Sequence, residues 1–247
     1  MIKMLLSWLV VWTLPIMTIL IPQPEITQPT PAVSILSPGE GSVVTSPIHL
    51  SLEIQPGADT FIRVTLINGS NITIARQLES ISLNPDNVTI LDISIPFEIP
   101  TESSKALLTV TTLDSFNRPQ SLRAINLTLA STSPETVLPS QQPVENWLSI
   151  HSPTAGTTIS GGKFQITGTV TPITDNPIFF ELITDSGGVI GNAFLSVSNA
   201  GISIDFDLPI YYNYLSMPRD VRLIVRQTAG KYRNTVILDS LLLTLEP

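Results

Sequence analysis

The sequence contains no cysteine and few charged residues. Its 247 residues include 12 Lys and Arg, 20 Asp and Glu, and two His, which gives a net charge of −8. The absence of cysteine excludes disulfides, thiolate nucleophiles, cysteine-bound zinc and a lipid anchor on cysteine. The basic residues are scattered, whereas nucleic-acid binding requires a basic patch that neutralises phosphates. We therefore expect no nucleic-acid partner and no cofactor.

Histidine is also scarce, and this limits the catalytic chemistry of the chain. Only His49 and His151 are present. A Ser-His-Asp triad places a histidine between a nucleophile and a carboxylate, and the sequence has neither a G-x-S-x-G elbow nor a His-x-x-x-His pair. We interpret both histidines as ordinary strand residues and predict that the chain has no catalytic residues. A hydrolase is the alternative, in which His49→Ala or His151→Ala would abolish activity.

The aspartates are spaced along the chain instead of clustered. Asp59 and Asp175 occupy matching loop positions, Asp185 lies in a predicted hairpin, and Asp205 and Asp207 would project from one face of a strand. Calcium is bound by oxygens that converge on one point, usually from a dense Asp/Asn loop, and no D-x-D-x-D-G run occurs. We interpret these residues as solvated charges and predict no metal ligand, with a calcium site as the alternative.

A hydrophobic segment follows Lys3. Residues 4–21 form an uncharged run of 18 residues. That length lies near the lower limit for a membrane helix, about 17 residues, and exceeds the apolar region of a signal peptide, about 7–15 residues. Residues 1–21 are predicted to be a signal anchor or a cleaved signal peptide, and a buried globular helix is the third interpretation. Because Lys3 stays on the cytoplasmic side, either of the first two predicts an exported C-terminal part.

Two proline-rich segments bracket the first of two repeated units. Residues 22–32 contain four prolines and predict an extended spacer, and residues 132–146 contain three prolines and predict a linker. The phrase SILSPGEG at 34–41 returns as SIHSPTAG at 149–156. A chain of this length accommodates two domains of ordinary size. The predicted domains are residues 33–131 and 147–247.

The remainder of the repeat keeps one order of short, alternating segments. DISIPFEIP at 92–100 corresponds to SIDFDLP at 203–209, and in both segments apolar residues alternate with polar ones, as is typical of half-buried strands. Each unit has about seven short strands separated by Gly, Pro, Asn and Asp turn signals, which is the pattern of an immunoglobulin-like sandwich. The predicted fold class is all-β, with two tandem immunoglobulin-like β-sandwich domains after the N-terminal hydrophobic helix.

The second unit resembles a bacterial domain family. Its motifs are the I-x-S-P-x-x-G opening at 150–156, a central ITG-type strand that contains Gly168, and the TDSGGV hairpin at 184–189. These features are similar to the Gmad2 family, immunoglobulin-like domains associated with bacterial spore-germination proteins, and the resemblance covers residues 147–247. It implies an extracytoplasmic accessory module without catalytic residues. The first unit matches less well, because Leu52 stands at the position of Gly168.

Three tyrosines form the one dense aromatic cluster of the sequence. Tyr211, Tyr212 and Tyr214 lie in YYNYLSMP at 211–218, a segment that the first unit lacks. Tyrosine is a favoured contact residue because it combines a large apolar area with a polar tip. We predict that these tyrosines form a contact surface, and a role in packing within or between the modules is the alternative.

These observations predict a non-catalytic, extracytoplasmic tandem immunoglobulin-like protein that acts as a scaffold or adhesion-type interaction module at the cell envelope. Its expected partners are an unidentified protein or a cell-wall polymer, and the membrane as well if residues 4–21 are not cleaved. The alternative is a carbohydrate- or peptidoglycan-recognition module that uses the cluster from Tyr211 to Tyr214.

Overall fold

A computed structural model describes residues 32–57, 60–84, 86–132, 134–140, 147–213 and 216–247. These residues contain β-strands and no α-helix, so the part of the chain that the structure describes has no helix able to span a membrane. The predicted signal or anchor segment at 1–21 and nearly all of the predicted spacer lie outside the described residues. The all-β prediction is confirmed.

The first module is a sandwich of two sheets. Its strands are β1 (Val33–Ser37), β2 (Val43–Val44), β3 (Ile48–Ile54), β4 (Thr60–Asn68), β5 (Thr73–Ile81), β6 (Thr89–Ile95), β7 (Ser103–Leu113) and β8 (Pro119–Ala130). Strands β1, β3 and β6 form one sheet, and β5, β4, β7 and β8 form the other in that order, with β2 parallel to the end of β8.

The second module repeats this arrangement. Its strands are β9 (Leu148–Ser152), β10 (Thr158–Ile159), β11 (Lys163–Val170), β12 (Ile178–Thr184), β13 (Val189–Leu195), β14 (Ile204–Tyr212), β15 (Arg219–Ala229) and β16 (Asn234–Leu245). Strands β9, β11 and β14 correspond to the first sheet, β13, β12, β15 and β16 correspond to the second, and β10 lies parallel to the end of β16. Each module is an immunoglobulin-like β-sandwich, as the sequence predicts.

Each module has its own apolar core between its two sheets. In β4 every second residue is buried, so that Ile62, Val64 and Leu66 all face the core of the first module. In the second module the rings of Phe180 on β12 and Phe206 on β14 are 5.2 Å apart between centroids, and they connect the two sheets. Burying a side chain of this size stabilises the fold by about 1.5–3 kcal/mol. The alternation seen in the sequence is therefore the alternation of core and surface.

The repeated phrase of the sequence is the point where the chain crosses between the sheets of a module. In the first module β1 pairs with β3 in one sheet, whereas β2 pairs with β8 in the other. Gly41 makes this crossing with a φ of 81° and donates its N–H to the Asn126 carbonyl at 2.8 Å, and Gly156 has a φ of 77° and donates to the Leu242 carbonyl at 2.8 Å. Glycine adopts positive φ without steric cost. Each module needs one crossing, which explains why the phrase occurs twice.

Gly168 on β11 has no room for a side chain. A Cβ atom at this position would lie 2.1 Å from the Ser149 carbonyl oxygen and 2.7 Å from the ring of Phe206. Backbone and ring approach this closely only because glycine lacks a Cβ. The glycine of the ITG-type strand is thus required by the close packing of β9, β11 and β14.

The described part of the predicted linker runs along the first module. Thr136 exchanges two backbone hydrogen bonds of 2.9 Å with Val43, and the Gly39 N–H donates to the Leu138 carbonyl at 3.0 Å. The Ser140 hydroxyl donates to the Ile35 carbonyl at 2.6 Å. Residues 134–140 are therefore hydrogen-bonded to the outside of β1 and β2, and residues 141–146 lie outside the described part of the chain.

The two modules share a sheet. β8, the last strand of the first module, pairs antiparallel with β16, the last strand of the second, with Leu122 opposite Leu238. The free edge of each last strand is covered in this way by the other module, and an uncovered edge is a template for unwanted pairing. The path of hydrogen-bonded strands runs from β5 without a break through β8 and β16 to β9.

Candidate functional site at the junction of the two modules

A buried carboxylate of the first module binds an arginine of the second. Asp114 follows β7, and its Oδ2 accepts from Arg118 Nε at 2.7 Å and from Arg222 Nε on β15 at 3.1 Å. Its Oδ1 accepts the backbone N–H groups of Phe116 and Arg118 at 3.0 and 2.9 Å. Both arginine side chains are nearly excluded from solvent. A single carboxylate thus fixes the β7–β8 turn and ties it to the second module.

The environment of Asp114 favours its charged form. Burial acts to raise the pKa of Asp114 and is the largest single influence, but the backbone and guanidinium hydrogen bonds from Arg118 and the charges of Arg222 and Arg118 together outweigh it. The pKa of Asp114 is therefore lowered. Burial lowers the pKa of Arg222, and the neighbouring Asp114 opposes this shift. The pair is ionised at neutral pH because an arginine stays protonated far above it.

In a second ion pair between the modules, the carboxylate belongs to the second module and the arginine to the first. Asp239 on β16 accepts two hydrogen bonds of 3.0 Å from the guanidinium of Arg123 on β8. The Ser121 hydroxyl donates to the same carboxylate at 2.9 Å, and so does the indole Nε1 of Trp147. The Trp147 side chain is only 1% exposed. A carboxylate from each module therefore binds an arginine from the other, and fork-like pairs of this kind fix orientation as well as distance.

Hydrogen bonds between β8 and β16 complete the junction. The Ser240 hydroxyl donates to the Gln120 carbonyl at 2.7 Å and accepts from the Arg222 guanidinium at 3.1 Å. Ile224 and Leu238 are buried although neither belongs to a module core. The junction thus combines ion pairs, hydrogen bonds and buried apolar side chains that join the two modules.

A cleft of about 560 Å³ opens beside the junction. One wall consists of the β4–β5 turn with parts of β7 and β8, and the other is the β15–β16 turn of the second module. The side chains of the first wall include Glu40, Lys105 and Asn126, and those of the second include Lys231 and Tyr232. The cleft exists only because the two modules pack side by side.

The tyrosine cluster is divided by the fold. Tyr211 and Tyr212 end β14, and Tyr214 lies outside the described residues. Tyr211 is 63% exposed, but Tyr212 is only 8% exposed, and its hydroxyl is 3.4 and 3.3 Å from the carbonyls of Ile159 and Glu246. Adjacent residues of a strand point to opposite faces. Tyr212 belongs to the core, which is the packing role that the sequence left as the alternative, and a contact surface at Tyr211 stays a prediction.

The histidines lie on exposed faces of the two modules. His49 borders a depression of about 360 Å³ together with Ser37, Ser51, Asp92 and Ser94. Within the described part of the chain no hydrogen bond connects His49 to these side chains, and none involves the ring of His151. Ser, His and Asp residues therefore lie close together at His49, but the hydrogen bonds that connect the members of a catalytic triad are not present among these described residues.

Three aspartates of the calcium alternative, Asp175, Asp185 and Asp207, have separate partners. Asp175 accepts the Ala200 N–H at 2.8 Å, Asp185 lies 3.9 Å from Arg219, and Asp207 accepts from the Gln165 amide at 3.0 Å. Asp59 lies outside the described residues. Among the described residues, no three His, Asp or Glu side chains are grouped to hold a metal ion.

Sequence reasoning missed both the junction and the cleft. A signal was present, because Arg222 interrupts the apolar run VRLIV of a strand, and a charge inside such a run has a partner when it is buried. The partner Asp114 lies 108 residues away in sequence. The apolar sequence of β15 could therefore indicate that Arg222 is a buried charge, but it could not indicate that Asp114, which follows β7, is the carboxylate that binds it.

The fold and the junction define this chain as a tandem of immunoglobulin-like β-sandwich modules joined through their last strands. No family model matches the chain, and no curated protein matches it.

Among solved structures, the chain is similar to the fibronectin(III)-like modules of Clostridium thermocellum CbhA, at 14% identity and a TM-score of 0.24 over 87% of this chain and 94% of that one. It is similar to the E. coli chaperone DraB at 11% identity and a TM-score of 0.30 over 85% and 95% of the two chains. The E. coli alpha-2-macroglobulin activated by porcine elastase matches at 9% identity and a TM-score of 0.28, over 91% of this chain and 22% of that one. Likenesses at this level assign no function.

Proposed function

We propose that the chain is a non-catalytic scaffold or adhesion-type module that holds two immunoglobulin-like sandwiches in a fixed arrangement outside the cytoplasm, at the cell envelope. The observation that carries this proposal is the junction, in which β8 pairs with β16 and the pairs Asp114–Arg222 and Arg123–Asp239 cross between the modules. A scaffold needs a fixed distance between the surfaces it presents, and a shared sheet supplies it.

The proposed location depends on the N-terminal sequence. The apolar run at 4–21 after Lys3, followed by four prolines at 22–32, suits a segment that directs export and then keeps the folded part away from the membrane. The resemblance of residues 147–247 to Gmad2 domains agrees with this location. We propose membership of the second module in that family on its motifs alone.

The absence of cysteine gives a direct test of location. Ser80 on β5 is exposed, so the variant Ser80→Cys carries one accessible thiol. A membrane-impermeant maleimide should label this variant in intact cells, and the cysteine-free parent is the matched control. Labelling only after lysis would overturn the proposed location.

A carbonate wash of the membranes and an intact mass of the protein then separate the two exported forms. An anchored protein stays in the membrane and retains Met1, whereas a cleaved signal leaves a released protein with a new N-terminus near residues 22–32.

The fixed arrangement is tested with a second thiol. Spin labels at Ser80→Cys and Ser196→Cys, one in each module, should give a single narrow distance distribution, since both sites are exposed and far from the junction in sequence. A broad distribution in the parent background would contradict a rigid scaffold. Adding Asp114→Ala should broaden the distribution, which connects the rigidity to the ion pairs.

Recognition of a carbohydrate or of peptidoglycan is the second candidate function. It is favoured by the exposed ring of Tyr211 at the end of β14, since exposed aromatic rings stack on the apolar faces of sugars. The triple replacement of Tyr211, Tyr212 and Tyr214 would also damage the core, so Tyr211→Ala alone is the suitable variant. Loss of sugar retention in this variant, with an unchanged fold, would support recognition at this position.

A further inference from the structure

The cleft beside the junction concentrates unpaired positive charge. Lys105 and Lys231 face it from the two modules, and neither ammonium group has an ion-pair partner among the described residues. Lys105 donates one hydrogen bond of 2.8 Å to the Thr128 hydroxyl, and Lys231 lies 5.4 Å from the centroid of the Tyr232 ring. An ammonium group has three donors, so each lysine has donors left for a ligand. This charge stands out in a chain whose net charge is −8.

The one carboxylate of the cleft does not neutralise these lysines by contact. Glu40 accepts the Asn126 backbone N–H at 2.7 Å through one oxygen and the Asn126 side-chain amide at 2.9 Å through the other. Both of its oxygens are thus engaged on the wall of the first module. The cleft therefore contains two ammonium groups and one carboxylate. Its net charge is positive, which favours an anionic ligand.

The remaining side chains of the cleft suit a sugar ring. Tyr232 is 45% exposed and presents an aromatic ring of the kind that stacks on the apolar face of a saccharide. Asn234 lines the cleft with an amide that has no hydrogen-bond partner among the described residues, and the Asn68 side chain uses its oxygen for two backbone N–H groups, which leaves its NH₂ group to donate. Pockets for small molecules typically measure about 300–1,000 Å³, and this cleft falls within that range.

We propose that the cleft between the modules is a binding site for an acidic saccharide, a sugar that carries a carboxylate. Lys105 and Lys231 bind the carboxylate from opposite sides, the Tyr232 ring packs on the sugar, and the amides of Asn68 and Asn234 bind hydroxyl groups. The inference shares its ligand class with the recognition alternative above but assigns it to a different site. It requires the side-by-side arrangement of the modules, because each module supplies one of the two lysines.

The experiment uses two sugars that differ by one group. N-Acetylmuramic acid carries a lactyl carboxylate that N-acetylglucosamine lacks, and both are titrated into the purified full-length chain by calorimetry. Because a hydrogen bond to a charged group is strong, we expect the acidic sugar to bind with a Kd at least about tenfold lower than the neutral one. Equal affinity for the two sugars, or no saturable binding of either, would overturn the proposal.

Variants locate the site. Lys105→Gln and Lys231→Gln should each weaken binding of N-acetylmuramic acid by about tenfold, since each removes one charge-assisted contact. Lys163→Gln is the matched control, because Lys163 on β11 does not line the cleft. All three lysines are exposed, so the thermal midpoints should not change and a loss of binding will not reflect unfolding.

Tyr211→Ala separates this site from the tyrosine cluster. If Tyr211→Ala abolishes binding and the two cleft lysine variants do not, the saccharide binds at β14 and the cleft proposal is wrong. An equal effect of Lys163→Gln and Lys231→Gln would likewise show a general charge effect instead of a site. Weaker binding in Tyr232→Ala together with both cleft lysine variants is the result that supports the proposal.

Discussion

Replacing Asp114 by alanine removes the carboxylate on which one half of the junction depends. In the native structure this side chain accepts hydrogen bonds at 3.0, 2.9, 2.7 and 3.1 Å, two from backbone N–H groups and two from arginines. After the change, Arg118 and Arg222 remain buried without their carboxylate. Removing one partner of a buried ion pair costs about 3–5 kcal/mol, chiefly because the other charge is left uncompensated. We expect Asp114→Ala to lower the free energy of unfolding by that amount.

An exposed ion pair of the same residue types provides the matched control. Asp185 and Arg219 are 3.9 Å apart, and both side chains are more than 40% exposed. Pairs of this kind contribute about 0–1 kcal/mol, so Asp185→Ala should change the free energy of unfolding by no more than that. The difference between the two alanine variants therefore measures burial at the junction, because the residue replaced is the same.

Urea denaturation gives the measurement with two signals. Far-UV circular dichroism follows the strands of both modules, and the fluorescence of Trp147, taken as the difference from a Trp147→Phe reference, follows the junction. In the parent the two transitions should coincide, as expected for one cooperative unit, and in Asp114→Ala they should separate. If Asp114→Ala costs no more than Asp185→Ala and its two transitions still coincide, the junction does not depend on this carboxylate and our reasoning is refuted.

Three further predictions concern acid, a glycine and the two tyrosines of β14. The lowered pKa of Asp114 contributes stability that is fully present above its ordinary unfolded value of 3.8 and is lost as the pH falls through the lower folded value. As the pH is lowered from neutral through this value, the parent should therefore lose more stability than Asp114→Asn does. Parallel urea midpoints at a series of acidic pH values test this. Gly168→Ala should lower the free energy of unfolding by about 1–3 kcal/mol, because its Cβ would lie 2.1 Å from a backbone oxygen. Gly188→Ala, whose Cβ would have its nearest atom at 3.5 Å, should lower it clearly less. Similar losses of stability by calorimetry in the two variants would contradict the close packing of β9 against β11. Tyr212→Ala removes a core side chain and should lower the free energy of unfolding by about 3–5 kcal/mol, whereas Tyr211→Ala should leave the thermal midpoint nearly unchanged. If Tyr211→Ala is the more destabilising variant, the two faces of β14 are reversed.

Much of the fold could be predicted from the sequence because its signals are local. Alternation along DISIPFEIP places Ile93 and Ile95 on one face, and the structure buries both. The S-P-x-x-G phrase could be recognised as the start of each module because it is repeated in the sequence, and the structure gives its glycine a positive φ in both copies. A strand and its turns depend on neighbours a few residues away, and such preferences are visible in a single sequence.

The candidate site could be predicted only in part. Tyrosines 211 and 212 are chemically identical, and a shift of one residue in the position of β14 would exchange their faces, so the sequence alone does not decide which of them is exposed. Lys105 and Lys231 lie 126 residues apart, and no local pattern connects them. Their meeting in one cleft follows from the way the two modules pack.

The sequence by itself determined the strands, the turn after the first strand of each module, the two sandwich modules and the hydrophobic N-terminal segment, since each follows from the periodicity or the composition of adjacent residues. Only the tertiary structure decided that β8 and β16 pair, that Asp114 and Asp239 each bind an arginine of the other module, and that a cleft opens beside them. The physical reason is that an edge strand can pair with many partners, and the choice among them is made by the shape and charge of surfaces that form only after each module has folded.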